Sequence, residues 1–94
     1  MGYIKYDNGI IEQWGEVTIT PTTANTPRGQ AINFPVPFIN VPENINVTPN
    51  TAVPGSTVTG WSFAVPSATG MTLYITRTNT TATTLHWRAL GHWK

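Results

Sequence analysis

The last residues of this chain alternate without a break. Leu85, Trp87, Ala89, Gly91 and Trp93 fall on one side of an extended backbone, and His86, Arg88, Leu90, His92 and Lys94 fall on the other. Successive side chains of a strand point to opposite faces, so this pattern is that of a sheet with one buried face. Shorter runs repeat it. Residues 44–48 alternate Asn and Thr with Ile45 and Val47. Residues 58–65 place Trp61, Phe63 and Val65 on one side, and residues 71–78 place Met71, Leu73 and Ile75 opposite Tyr74. No stretch carries a sustained helical period.

Turn chemistry separates the runs. Asp7-Asn8-Gly9 lies between Tyr3-Ile4-Lys5-Tyr6 and an apolar run starting at Ile10, and Asn and Gly tolerate the positive φ of a tight turn. This predicts an N-terminal hairpin over residues 1–20, with Gly15 a bulge or a point of close backbone approach. The remaining strands are expected over residues 30–94. Residues 21–29 and 49–55 read as loops. In Phe34-Pro35-Val36-Pro37-Phe38 each proline removes a ladder donor, so the segment cannot sit inside a sheet. It reads as an extended edge or crossing segment with its three apolar side chains to one side. About seven strands at such spacing predict an all-β fold, an antiparallel β-sandwich of six to seven strands, in one domain over residues 1–94.

Composition narrows the function. Seventeen of the 94 residues are threonine, a β-branched residue suited to a pleated, half-exposed surface. Five basic residues face four acidic ones, and the basic ones are scattered. The basic stripe of a nucleic-acid binder is missing, and no apolar run is long enough to span a membrane as a helix. With no cysteine there is no disulfide, thiolate metal ligand or thiol nucleophile. A domain this small buries a modest share of its surface, so burial shared with sister copies would help it.

Four sets of residues resemble the C-terminal receptor-binding domains of phage and prophage tail-fibre proteins. They are the opening Gly2-Tyr3-Ile4 with Asn8-Gly9-Ile10-Ile11-Glu12-Gln13-Trp14-Gly15, the closing Trp87-Arg88-Ala89-Leu90-Gly91-His92, and between them Ile32-Asn33-Phe34-Pro35-Val36-Pro37-Phe38 and Val58-Thr59-Gly60-Trp61-Ser62-Phe63. In order and spacing they cover nearly the whole chain. The resemblance implies an H-type lectin-like sandwich that assembles as a homotrimer. It also implies a place at the distal end of a virion tail fibre and a host cell-surface glycan or cell-wall polysaccharide as ligand. A structural domain that caps the fibre or nucleates its trimer is the alternative, and a polysaccharide-degrading enzyme is a third reading.

Catalytic chemistry finds little support. Glu12 and Glu16 are the one close acidic pair, and on a strand their Cα atoms would stand about 13 Å apart, beyond the separation that glycoside hydrolysis uses. His86 and His92 would stand about 20 Å apart, too far to share a metal within one chain. No nucleophile elbow or phosphate loop is present. Neither a catalytic residue nor a cofactor or metal is expected. Asn46-Val47-Thr48 and Asn79-Thr80-Thr81 fit the N-glycosylation pattern, which a threonine-rich chain meets by chance. Trp14, Trp61, Phe63 and Trp87 are expected in the core, where large rings dominate burial. Sugar binding calls for an exposed ring with polar neighbours, which makes Tyr74, Arg77, His86, Arg88, His92 and Trp93 the candidate ligand surface.

Overall fold

The computed structural model describes residues 1–50 and 58–94. Its strands are β1 (Gly2–Lys5), β2 (Ile10–Ile19), β3 (Arg28–Asn33), β4 (Asn44–Asn50), β5 (Val58–Ala64), β6 (Gly70–Arg77) and β7 (Thr83–His92). They form two sheets, β1-β2-β7-β4 and β3-β6-β5. Every pairing is antiparallel.

The N-terminal hairpin forms as expected. Tyr6 N–H donates to Ile10 O at 2.8 Å, Gly9 N–H donates to Tyr6 O at 3.0 Å, and Gly9 takes a φ of 96°. This is a three-residue hairpin loop closed by a left-handed glycine. β2 then pairs with β7 along its full length, from Ile10 opposite His92 to Ile19 opposite Thr83. Gly15 causes no bulge. It sits opposite Trp87, whose ring lies against its backbone; a Cβ there would come within 2.8 Å of that ring.

The core lies between the sheets. The four-stranded sheet contributes Ile11, Ile19, Leu85, Trp87 and Ala89, and the three-stranded sheet contributes Met71, Leu73 and Ile75. Phe34 and Phe38 complete it from the proline-rich segment. Their rings meet edge to face at 5.0 Å, and Phe34 lies 5.6 Å from the Trp87 ring. The segment crosses the sandwich and is strapped at both sides. Phe34 N–H and Phe38 N–H donate to Thr69 O and Ala68 O, and Ile39 N–H and Glu43 N–H donate to His92 O and Leu90 O.

Several expectations need correction. β3 starts at Arg28, two residues early, because Arg28 already pairs with Ile75. β4 runs on through Pro49 to Asn50. It is an outer strand, where a proline is tolerated. The rest of the loop expected over residues 49–55 lies outside the described residues. Trp61 and Phe63 do point to the core side of their sheet, opposite Ile75 and Leu73, yet they are 49% and 39% exposed. Val65, expected on the same buried face, is exposed as well. β5 is an edge strand, and the sheet edge above it is β4, whose Ile45 and Val47 are themselves only partly buried. Facing sheets twist, and this pair of edges leaves a gap instead of closing over the rings. Trp14, expected in the core, is exposed on the outer face of β2.

Candidate functional surfaces

The outer face of the four-stranded sheet is built on β7. Cross-strand register fixes its rows. One row reads Gly2, Trp14, Arg88, Asn46, and the next reads Ile4, Glu12, Leu90, Asn44. Further along, Glu16 and Thr48 flank His86, and Thr18 and Asn50 flank Thr84. Each glutamate on or beside this face has a basic side chain as neighbour, and Arg88 with Glu12 is a full ion pair. Arg88 Nη2 lies 2.5 Å from Glu12 Oε1, His86 Nδ1 lies 3.7 Å from Glu16 Oε2, and His92 Nδ1 lies 2.7 Å from Glu43 Oε1. Thr18 and Thr84 share a hydroxyl hydrogen bond of 2.8 Å.

Aromatic rings lie close against this sandwich where a strand offers glycine directly opposite. The pairs are Gly2 with Trp14, Gly15 with Trp87 and Gly29 with Tyr74. In each, a Cβ on the glycine would stand 2.7 or 2.8 Å from the ring. A missing Cβ lets the ring lie down on the neighbouring backbone, the cross-strand arrangement that compensates a strand glycine. The pairs differ in burial. Trp87 is enclosed in the core, Tyr74 is half-buried on the outside of the three-stranded sheet, and Trp14 is 39% exposed.

The second surface is the lateral gap. It is an open cleft of about 310 Å³ lined by Ile45, Asn46, Val47, Trp61, Ser62 and Phe63. It contains apolar side chains from the inner faces of both edge strands.

The structure separates the six residues singled out in the sequence. His86, Arg88 and His92 share the outer face of the four-stranded sheet, as their even numbering implies. Trp93 sits at its end, where its indole N–H donates to Tyr6 O at 3.0 Å. The Lys5 and Lys94 ammoniums each lie 4.8 Å from its ring centroid. Tyr74 belongs to the other sheet, opposite Gly29. Arg77 points inward and is 2% exposed. Its Nε donates to Asn79 Oδ1 at 2.9 Å, and Nη1 donates to the buried Thr83 hydroxyl. No common surface holds all six. Sequence reasoning missed Trp14 and Glu12 as members of the β7 face. The signal was parity: Ile11, Val17 and Ile19 are odd-numbered and face inward, which turns the even-numbered Glu12, Trp14 and Glu16 outward.

Among the described residues, no group of three His, Asp or Glu side chains is placed to hold a metal ion. Glu12, Glu16 and Glu43 each lie beside a basic side chain.

A model of the family described as "Putative tail fiber protein gp53-like, C-terminal" matches residues 5–92. This agrees with the likeness carried by the sequence motifs. Solved structures share the fold. The R2 pyocin fiber of P. aeruginosa is 26% identical with a TM-score of 0.72, over 92% of this chain and 22% of that one. An N-truncated R1-type pyocin tail fiber is 23% identical with a TM-score of 0.76, over 96% of this chain and 78% of that one. The tailspike protein gp49 of Pseudomonas phage LKA1 is 23% identical with a TM-score of 0.65, over 90% of this chain and 15% of that one. This chain therefore spans only a minor part of the R2 pyocin fiber and of the tailspike. No curated protein matches it.

Proposed function

We propose, from the premise that this chain belongs to the gp53-like C-terminal family of tail fiber proteins, that it is a host-attachment domain. In this reading it is one sandwich domain over residues 1–94 at the distal end of a virion tail fibre. It works as a homotrimer and recognises a carbohydrate of the host cell surface without chemical turnover.

The observation that carries the reading is the outer face of β7. It is a broad exposed sheet face whose glutamates each have a basic neighbour, Glu12 with Arg88, Glu16 with His86 and Glu43 with His92. Glycosidic cleavage by the common two-carboxylate route needs two acids facing one bond, one with a raised pKa. Here Glu12 is bound by the Arg88 guanidinium, and Glu16 and Glu43 each stand beside a histidine, with no two of these carboxylates paired. One neutralised Arg–Glu pair and two His–Glu contacts, with intervening threonine, asparagine and aromatic side chains, favour contact with a polar, uncharged surface. Trimeric display would multiply a weak site into useful avidity without new contacts.

A second reading is favoured by the lateral cleft. Exposed Trp61 and Phe63 on the core side of an edge strand suit a domain whose main task is to cap and trimerise a fibre. Two measurements separate the readings. Light scattering of the chain reports assembly, and retention on an array of bacterial surface polysaccharides reports ligand. A trimer that binds a polysaccharide supports attachment. A trimer that binds none of them supports the cap.

A further inference from the structure

We propose that the solvent-facing side of the Trp14 indole, with Arg88, Glu12 and Asn46 around it, is the subsite for a neutral pyranose. The assignment rests on the reading that this domain binds carbohydrate, and it names the site and the class of sugar.

The indole is presented as a platform. Trp14 stands directly opposite Gly2, and the absent Cβ lets its ring lie over the β1 backbone. The ring is thereby held against the sheet while the residue stays 39% exposed. Trp87 over Gly15 uses the same device inside the core. There the ring is sealed by packing; at Trp14 nothing in the described residues seals it. An exposed indole seated against a sheet can meet the apolar C–H face of a pyranose, and its large area loses little side-chain freedom on binding.

Hydroxyl partners stand beside the ring in the same register. Arg88 is the cross-strand neighbour of Trp14, and Asn46 is the neighbour of Arg88. Arg88 is well exposed but bound to Glu12 at 2.5 Å, and the Glu12 carboxylate is mostly shielded. The Tyr6 hydroxyl reaches the other Glu12 oxygen at 3.5 Å. A guanidinium already neutralised by a carboxylate still has N–H groups to donate to hydroxyls. It offers no net charge to a uronate or sialate. Neutral sugars are therefore the matching class.

The test uses the 94-residue chain labelled with ¹⁵N and a panel of methyl glycosides of neutral hexoses, with methyl glucuronide as the acidic comparator. The expected result is a saturable shift of the Trp14 indole N–H by at least one neutral glycoside, with the buried Trp87 signal unmoved and the glucuronide inactive. Trp14→Ala is expected to weaken that binding at least tenfold. Gly2→Val, which pushes the ring off the strand, is expected to do the same while the backbone spectrum stays that of the folded chain. Saturable binding that maps to Tyr74 or Trp61, untouched by Trp14→Ala, would overturn the subsite and leave the carbohydrate reading standing. Preference for the glucuronide would overturn the neutral class. A panel that perturbs no residue would overturn subsite and carbohydrate reading together.

Discussion

The side-chain amide of Gln13 closes both backbone hydrogen bonds of Val36. Its Nε2 donates to Val36 O at 2.6 Å, and its Oε1 accepts from Val36 N–H at 2.9 Å. Gln13 is fully buried on the inner face of β2. Val36 lies between Pro35 and Pro37, which have no N–H to give. Between the backbone straps at its ends, the middle of this segment is thus tied to the sheet by one side chain acting as a rung. Strapping the segment there seats Phe34 and Phe38 in the core.

Removing this rung should be costly. Gln13→Ala strands a donor and an acceptor near the core, and each orphaned group costs roughly 1–3 kcal/mol. A loss of about 3 kcal/mol in urea unfolding is expected. Gln13→Glu adds a pH signature. Its carboxylate can accept from Val36 N–H but faces Val36 O with a lone pair, whereas the protonated acid can donate. The folded state would favour the neutral form and raise that pKa. The variant should therefore be least destabilised below the unfolded glutamate pKa of about 4.3 and lose stability as pH rises through the folded value.

Trp87→Ala should cost about 3–5 kcal/mol, because the ring is buried and its loss leaves a cavity. Gly15→Ala should cost about 1–3 kcal/mol by overpacking, since the new Cβ would stand 2.8 Å from that ring. In the Trp87→Ala background the Cβ has room, so the two costs should add to less than their sum. Chemical denaturation of the four chains reads the cycle. A Trp87→Ala loss below about 1 kcal/mol would mean that the faces of β7 are reversed.

Val65 takes a φ of 50° although it is β-branched and exposed. Left-handed backbone is a strained choice for such a residue. Val65→Gly or Val65→Asn should stabilise the chain by up to about 1 kcal/mol, seen as a rise of roughly 4–8 °C in Tm.

Trp61→Ser with Phe63→Thr should leave the fold intact and abolish assembly. Both rings point to the core side of β5 but are half-exposed in the single chain. Light scattering of the unmodified chain should give three times the 10.3 kDa chain mass, and the double variant should give the chain mass alone. Unchanged assembly would place the subunit contact elsewhere.

The alternation of β7 and the Asp7-Asn8-Gly9 turn were readable because each depends on local geometry alone. Strand parity depends only on the pleat, so Leu85, Trp87 and Ala89 fall inside and His86 and Arg88 outside in both sequence and structure. What parity cannot tell is whether another layer covers a face. Trp61 and Phe63 lie on the inner face of β5, but the opposing edge does not close over them. Arg77 shares the inner side of β6 with Met71, Leu73 and Ile75, which the alternation implied and its charge obscured. The Gln13 rung is a contact across 23 positions, and no local pattern encodes it. The size and apolarity of Trp14 point to the core, where large rings usually pack. Its place over Gly2 follows only from the register of β1 on β2.

The attachment reading is tested most directly by placing the labelled chain on an array of bacterial surface polysaccharides. The prediction is retention on a defined polysaccharide, lost when Trp14 and Arg88 are both changed to alanine in a chain that stays folded. A folded, assembled chain retained on none of them would contradict it.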